Sequence, residues 1–367
     1  MKGLILSGGH GTRLRPITHT SNKHLVPLAN KPMLFYGIET LRDAGITDVG
    51  VIVGHTPQRI QEIKDAVGNG SQFGISVTYI EQDAPRGIAH AIKTAQGFLT
   101  SQNEDGKFVV HLGDNILKGG IKPYVDRFRN SKADAFTLFS HIPELERKLN
   151  TWGSPVIENS KLVGIIEKPS VRTNDLAFIG IYGFNESFFQ AFEGLSLSPR
   201  NEYEIADAVT ALIKMGKDVQ HYIVDAQWWR DPGSTEGVLE ANALILDDLK
   251  AYNLGTVEEG ATVIGKVGIG EGTQIKAGAS IRGPAVIGRN CVIGGETHIG
   301  PYTSIGDNSK IERAEIEYSV VMGDCAIDCD KRIVSSLIGR SVKISPSSYG
   351  NQNAVQLVIG ENSLVAI

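Results

Sequence analysis

Glycines and arginines that could bind phosphate follow directly on the first apolar run of the chain. Leu4 to Leu6 predicts a short buried strand, and three of residues 8–11 are glycine. Glycines let a backbone turn sharply and approach a ligand, and successive N–H groups in such a loop bind anions. Arg13 and Arg15 add guanidinium groups that match phosphate oxygens. The stretch favours a polyphosphate cradle over an ordinary glycine-rich turn. It lacks the Gly-Lys-Ser/Thr of a Walker loop and the G-x-G-x-x-G dinucleotide pattern.

Two further polar side chains follow later predicted strands. Asp114 comes after the apolar run Phe108 to Leu112, and a carboxylate beside bound phosphates is a natural Mg²⁺ ligand. Its alternative role is to cap the following segment. Gln82 comes after the run Ile75 to Ile80 and offers both a donor and an acceptor to a base edge, unless this is simply a loop. Gly87 would let the backbone approach the ring.

The elements that must position these residues alternate between strand and helix. Apolar spacing predicts helices over 32–44, 57–67 and 87–98, between strands at 4–6, 49–53, 75–80 and 108–112. This order predicts an α/β fold with a doubly wound, mostly parallel sheet, in which ligands bind beyond the carboxyl ends of the strands. From Ala133 the pattern changes to alternating strands, and Ser234 to Leu249 reads as a further helix.

Beyond Gly255 a repeat begins. Ten β-branched residues recur at every sixth position from Val257 to Ile311, with Gly, Asn and Asp between them. This pattern is typical of a left-handed parallel β-helix of hexapeptide repeats, whose ends need caps. The tail from Ser345 is a candidate cap. We therefore predict a catalytic domain over 1–250 and a β-helix domain over 251–367.

Composition excludes several other classes of protein. The 367 residues suffice for two domains, and the net charge of -5 argues against bulk nucleic-acid binding. Cys325 and Cys329 lie four apart without a second pair, which argues against a zinc site. Neither a signal peptide nor a membrane-spanning run is found, so the sequence predicts a cytoplasmic protein without a membrane partner.

One combination of motifs is more specific than its parts. Gly-Gly-x-Gly-Thr-Arg-Leu-x-Pro, followed by Lys23 and by Lys31-Pro32, resembles the sugar-1-phosphate nucleotidyltransferases. The stretch Asn22 to Met33 looks most like the long form of the glucose-1-phosphate thymidylyltransferases. The resemblance implies a nucleotide-diphospho-sugar transferase-like fold of the Rossmann type. It also implies the Mg²⁺-dependent reaction of dTTP with glucose 1-phosphate, which yields dTDP-glucose and pyrophosphate.

The same resemblance assigns site residues one by one. Catalysis would fall to Arg13 and Lys23, and metal binding to Asp114 and Asp231, the latter alternatively a helix N-terminal acid. The nucleotide would contact Leu6, Gly8, Gly9, Gly11, Thr12, Arg13, Gln82 and Gly87. The sugar phosphate would contact Gly153, Glu167, Lys168, Tyr182, Arg200 and Trp229. This sequence departs from the family pattern at Trp152, Asn201 and Pro232.

Three alternatives stay open at this point. Gln82 could read uracil as well as thymine, which would make UTP the substrate. Many hexapeptide β-helices are acyltransferases, although the repeat holds a single histidine, His298. A non-catalytic regulatory subunit would not need to retain Arg13, Lys23 and both aspartates.

The β-helix is expected to serve assembly rather than chemistry. We expect a homo-oligomer, a trimer or a multiple of one. On this view a fragment that ends near Gly255 would keep measurable transfer.

Overall fold

The computed structural model describes residues 1–54, 56–103, 105–142, 151–172 and 174–345. Contacts divide the chain into two compact units. The first, here the sheet unit, comprises residues 1–10 and 34–229. The second, here the β-helix unit, comprises residues 11–33 and 230–367. Residues 11–33 therefore fold with the repeat, although they lie at the other end of the chain.

The elements before the repeat comprise strands, α-helices and 3-10 turns. The strands are β1 (Lys2–Leu6), β2 (Pro27–Leu28), β3 (Lys31–Pro32), β4 (Asp48–Val53), β5 (Ser76–Glu81), β6 (Phe108–Leu112), β7 (Ile116–Leu117), β8 (Ala135–His141), β9 (Ser154–Glu158), β10 (Lys161–Ile166), β11 (Leu176–Phe184), β12 (Val219–Val224) and β13 (Trp229–Arg230). The helices are α1 (Ile17–Thr20), α2 (Met33–Asp43), α3 (Pro57–Val67), α4 (Ile88–Thr94), α5 (Gln96–Thr100), α6 (Lys122–Asn130), α7 (Ser187–Glu193), α8 (Ile205–Lys214) and α9 (Thr235–Leu246). The 3-10 turns are Thr12–Leu14, Lys23–Leu25, Ser71–Phe73 and Ala226–Trp228.

The sheet unit is built on seven strands in the order β12-β8-β11-β6-β1-β4-β5. β1 runs parallel to both of its neighbours, β4 and β6. Only β11 runs against the strands beside it, β6 and β8. All five residues of β1 are buried, because a central parallel strand is covered on both faces. The predicted mostly parallel α/β sheet is confirmed.

The β-helix unit carries the repeat on three parallel sheets. Its strands are β14 (Tyr252–Asn253), β15 (Thr256–Val257), β16 (Thr262–Ile264), β17 (Val267–Ile269), β18 (Gln274–Ile275), β19 (Ser280–Arg282), β20 (Ala285–Ile287), β21 (Val292–Ile293), β22 (His298–Ile299), β23 (Thr303–Ile305), β24 (Lys310–Glu312), β25 (Glu315–Glu317), β26 (Val320–Val321), β27 (Ala326–Asp328), β28 (Arg332–Val334), β29 (Leu337–Ile338) and β30 (Lys343–Ile344). The sheets follow the orders β14-β17-β20-β23-β26-β29, β15-β18-β21-β24-β27-β30 and β16-β19-β22-β25-β28. Each strand pairs with the strand three places later, its counterpart in the next coil. The predicted hexapeptide β-helix is confirmed.

The aliphatic ladder fills the interior of this solenoid. The predicted positions from Ile269 to Ile311 are at most 1% exposed. The first two positions differ, since Val257 is 36% and Val263 37% exposed where no earlier coil covers them. The cap expected from the tail lies outside the described residues. No helix within the described ranges is long and apolar enough to cross a membrane.

Candidate active site

The strand ends of the sheet unit bring three predicted residues to one edge. β1, β4, β5 and β6 are parallel, so their carboxyl ends lie on the same side of the sheet. Gly8 follows β1, Gln82 follows β5 and Asp114 follows β6. Two backbone bonds join neighbouring strand ends there, Ser7 N–H to Ile52 and Gly113 N–H to Leu6, both 2.9 Å.

Gln82 is held beside the glycine loop. Its Oε1 would lie 3.5 Å from a Cβ added at Gly8, which is ordinary van der Waals contact and shows that the side chain lies against this glycine. Its side-chain nitrogen lies 3.1 Å from Nδ1 of His90. Nε2 of His90 lies 3.7 Å from Asp83. Burial lowers the His90 pKa below its ordinary value, although Asp83 opposes this. A neutral His90 with its proton on Nε2 accepts from Gln82 and leaves Oε1 of Gln82 as an acceptor.

Both the backbone conformation and the lack of space for a side chain require a glycine at position 87. Its φ is +97°, and an added Cβ would meet the carbonyl oxygen of Tyr203 at 2.5 Å. Any larger residue would have to displace backbone at the start of α4, so this position holds the loop after β5 close to residues 202–203.

A carboxylate cluster surrounds the residues predicted to meet the sugar phosphate. Arg200 donates to both oxygens of Glu204, from Nε at 3.0 Å and from Nη2 at 2.6 Å. The same Nη2 lies 3.3 Å from Oε1 of Glu167, and Nζ of Lys168 lies 4.0 Å from that oxygen. The structure therefore brings Glu167, Lys168 and Arg200 together. It also shows the Arg200 guanidinium engaged by carboxylates, which our sequence-based assignment to the phosphate did not include.

The environment of Glu167 disfavours its charged form. Burial, followed by repulsion from Glu204, raises the pKa of Glu167 above its ordinary 4.5, and Arg200 and Lys168 only partly offset this. The ionised carboxylate thus costs folding stability. That contribution is absent below the unfolded-state pKa and appears as the pH rises through the folded-state pKa.

Glu167→Gln should therefore raise Tm above that of the wild type at about pH 7.5, because it removes a partly buried charge. The difference should vanish as the pH falls below about 4.5, where both proteins are neutral at this position. Differential scanning calorimetry across that range measures it, with Glu158→Gln, an exposed carboxylate on β9, as the control. A variant that melts below the wild type at pH 7.5 would show that the pairing with Arg200 outweighs the burial.

The remaining sugar-side predictions, Trp229, Gly153 and Tyr182, are all buried. Trp229 donates from Nε1 to Oδ1 of Asn115 at 2.8 Å and meets Trp152 edge-on at 5.5 Å between ring centroids. A Cβ added at Gly153 would come within 3.3 Å of Oε2 of Glu167, so this glycine borders the cluster. Tyr182 is 2% exposed and packs in the core against Phe178. We do not carry Tyr182 into the proposed site, because its ring faces the core.

The β-helix unit holds the other set of predicted residues. Gly11, at φ +64°, would place a Cβ 2.8 Å from Cβ of Lys23, and its carbonyl accepts from the Thr18 hydroxyl at 2.6 Å. Lys23 is 7% exposed and lies within the 3-10 turn that Asn22 caps. A Cβ added at Gly233 would lie 2.6 Å from Nη2 of Arg13 and 3.2 Å from Oδ1 of Asp231. Arg13 and Asp231, which lie 218 positions apart in the sequence, thus meet at one glycine.

Family models match both parts of the chain. The nucleotidyl transferase model matches residues 2–248, and the bacterial transferase hexapeptide model, of six repeats, matches residues 266–301. The chain belongs to the nucleotidyl transferase family. As a nucleotidyltransferase it is an enzyme.

Individual relatives agree with this placement. The nucleotidyltransferase is 43% identical to the glucose-1-phosphate thymidylyltransferase of Streptomyces antibioticus over 371 aligned residues, which cover 100% of this chain and 99% of the relative. It is 30% identical to a UTP–glucose-1-phosphate uridylyltransferase of Haloferax volcanii, over 68% of this chain and 98% of the relative. The crystal structure of a Bacillus anthracis protein described as a glucose-1-phosphate thymidylyltransferase matches with a TM-score of 0.61 and 35% identity. That match covers 69% of this chain and 98% of the other.

The two predicted metal ligands of the nucleotidyltransferase are carboxylates, which are of the kind that binds a hard divalent cation. No group of three or more His, Cys, Asp or Glu that could hold a metal occurs among the residues the structure describes. Mg²⁺ does not need one, because it is commonly held by one or two carboxylates together with substrate phosphates. Asp231 offers a carboxylate beside Arg13, whose guanidinium is of a type that binds phosphate. Asp114 offers a carboxylate after the end of β6.

Sequence reasoning missed two groups that hold site residues. His90 orients the Gln82 amide, and Glu204 engages Arg200. No local signal marks His90 as a partner of Gln82. Arg200 and Glu204 are four residues apart, but they lie ahead of α8 and outside any helix, so helical spacing could not have indicated their pairing.

Proposed function

We propose that the enzyme transfers a thymidylyl group from dTTP to α-D-glucose 1-phosphate, giving dTDP-glucose and pyrophosphate. The observation that carries the proposal is the meeting of Arg13 and Asp231 at Gly233, within the unit that also holds Gly11 and Lys23. A guanidinium, a buried lysine and a carboxylate in one unit suit the phosphates of a nucleotide and its metal. The full-length similarity to a thymidylyltransferase supports the same substrates.

The chemistry needs placement more than proton transfer. A phosphate oxygen of the sugar phosphate attacks the α-phosphorus of the triphosphate, in line with the departing pyrophosphate. That oxygen is already anionic, so no general base is required. Two anions must nevertheless meet, and positioning and charge stabilisation supply most of the catalysis.

Each set of residues has its own task in this scheme. Arg13 and the loop amides at Gly8, Gly9 and Gly11 would bind the triphosphate, and Lys23 would stabilise charge on the departing pyrophosphate. Lys168 would bind the phosphate of the sugar, and Glu167 would accept from sugar hydroxyls. We assign Arg200 to orienting Glu167, because its Nη2 lies 3.3 Å from that carboxylate and its other bonds go to Glu204.

Asp114 and Asp231 are the proposed Mg²⁺ ligands. When bound, the ion would neutralise phosphate charge and orient the reacting groups. The side chains contribute hard carboxylate oxygens, which suit Mg²⁺ rather than a soft metal.

The base preference should favour dTTP over UTP, but modestly. The free Oε1 of Gln82 can accept from the N3–H that thymine and uracil share, so it cannot separate them. A methyl group in an apolar pocket contributes only about 1–3 kcal/mol of discrimination. Initial rates of pyrophosphate release with dTTP, UTP and CTP in competition, across several sugar 1-phosphates, test the assignment. A clear preference for UTP would move the enzyme to the uridylyl branch.

Gly233→Ala should raise the KM for the triphosphate about tenfold or more, since a displacement of about 1 Å can be that costly. The new methyl group would force the Arg13 guanidinium aside, whereas the KM for the sugar phosphate should hold. Steady-state kinetics measures both constants. Gly97→Ala is the matched control, because nothing lies within 4 Å of a Cβ at that helical glycine. A Gly233→Ala enzyme with wild-type constants would remove Arg13 from the triphosphate site.

A further inference from the structure

Residues 11–33 of the β-helix unit are connected to one another by packing and by backbone hydrogen bonds. Lys23 packs against Gly11, and the carbonyl of Lys23 accepts from Val26 N–H at 3.1 Å. Val26 in turn accepts from Met33 N–H at 3.1 Å. These contacts connect the turn that carries Lys23 to the hairpin of β2 and β3. A displacement of that hairpin would therefore displace Lys23.

The tip of this hairpin is a two-residue turn in an unusual conformation. Ala29 and Asn30 join β2 to β3 with φ values of +46° and +63°. Such a turn favours Asn or Gly, and an alanine there is strained. External contacts must hold it, and two of them are found on other parts of the same unit.

Asn242 supplies the first contact. This residue of α9 is fully buried, and its Oδ1 accepts from Ala29 N–H at 2.8 Å and from the Ser304 hydroxyl at 2.7 Å. Its Nδ2 donates to the Tyr302 carbonyl at 3.1 Å. One amide thus joins the hairpin tip to a coil of the β-helix. Asn30 supplies the second contact, since its Nδ2 donates to the Ile305 carbonyl of that coil at 2.7 Å.

Helix α9 links this junction to the phosphate-binding residues a second time. Asp231 and Gly233 lie directly ahead of α9, beside Arg13, and the Ser234 side chain caps the helix. Asn242 lies in the same helix. The β-helix coil is therefore connected to Lys23 through the hairpin and to Arg13 through α9.

We propose that Asn242 is a positioning residue for nucleotidyl transfer, which fixes Arg13 and Lys23 against a coil of the β-helix. The inference rests on the proposed function and adds to it that the repeat supports the triphosphate-binding residues. It reverses our sequence-based expectation that a fragment ending near Gly255 keeps measurable transfer. Such a fragment lacks Tyr302, Ser304 and Ile305, the partners that hold the hairpin.

The test compares variants of the full-length enzyme well below their melting temperatures. Asn242→Ala should lower kcat/KM for the triphosphate about tenfold or more, with the KM for the sugar phosphate unchanged. Asn30→Gly keeps the turn conformation and removes only the bond to Ile305, so it should shift the same constant in the same direction. Asn103→Ala, which removes two side-chain bonds to backbone in the sheet unit, is the control and should leave both constants unchanged.

Asn242→Asp adds a pH readout that a purely structural role would not give. Protonated, the carboxyl group can accept from Ala29 and Ser304 and donate to Tyr302, as asparagine does. Ionised, it repels the Tyr302 carbonyl. Because burial raises a carboxyl pKa, kcat/KM relative to wild type should recover as the pH falls from about 8.5 to about 6.

Three kinetic outcomes overturn the inference. Folded Asn242→Ala and Asn30→Gly enzymes with wild-type constants would do so, as would an equal loss for both substrates, which indicates general destabilisation. A pH-independent Asn242→Asp would contradict the junction geometry. If the wild type itself transfers no nucleotidyl group, the proposed function fails. In that case the affinities of the same variants for dTTP, measured by calorimetry, test the inference. An Asn242→Ala variant that binds dTTP with wild-type affinity would refute it.

Discussion

Asp231→Asn should reduce kcat for pyrophosphate release by about a hundredfold or more, because the change removes the carboxylate charge that would hold the proposed Mg²⁺. Asp114→Asn should have a similar effect. Asparagine has nearly the same shape as aspartate, so neither change should unfold the protein. The measurement is kcat at saturating Mg²⁺ with circular dichroism on the same samples.

Asp225→Asn is the matched control for these two variants. Asp225 caps the 3-10 turn Ala226–Trp228 through a bond from Gln227 N–H at 2.9 Å, and asparagine caps equally well. Its kcat should equal that of the wild type. Near-normal turnover in either site variant would remove that residue from the proposed metal site.

Removing the charge at Lys168 and removing the charge at Arg13 should each weaken the binding of a different substrate. Lys168→Met should raise the KM for glucose 1-phosphate about tenfold or more, since hydrogen bonds to charged groups contribute about 1.5–3 kcal/mol. Arg13→Met should do the same for the triphosphate. Lys168 lies beside Glu167 in the sheet unit, and Arg13 lies beside Asp231 in the β-helix unit.

Methionine keeps the apolar stem of both side chains, so the comparison isolates the charge. Lys161→Met, at the start of β10 and exposed like Lys168, controls for loss of a surface cation. Full kinetics with each substrate varied in turn gives the four constants. Equal loss of both substrates in both variants would show that the division of the site is wrong.

Much of the fold could be predicted because its signals are local. The β-helix follows from aliphatic residues at every sixth position, since each must fill the interior of its own coil. The buried strands β1, β4 and β6 appear as short apolar runs. The single helix predicted over 87–98 is instead α4 and α5, with the break at Ala95. Strand β12 was missed, because its residues are only half-buried and give no clear alternation.

The candidate site could be predicted only in part. Gly11, Lys23 and Asp231 belong to recognisable motifs, whereas the contacts that hold them do not. Ala29 and Asn242 are 213 positions apart, and nothing in either stretch indicates the bond between them. Tyr182 has the right motif but lies on a strand face that the core covers. Motifs identify residue types, and the packing of distant segments decides which of them reach a ligand.

The most direct test of the central claim follows the α-phosphate. The full-length enzyme, dTTP labelled at the α-phosphorus, glucose 1-phosphate and Mg²⁺ are incubated together, and the products are separated. We expect the label to move into a phosphatase-resistant nucleotide sugar while unlabelled pyrophosphate forms in equal amount, and we expect both to depend on the sugar phosphate. Label that stays in dTTP, or appears in dTDP or dTMP whether or not the sugar phosphate is present, would contradict it.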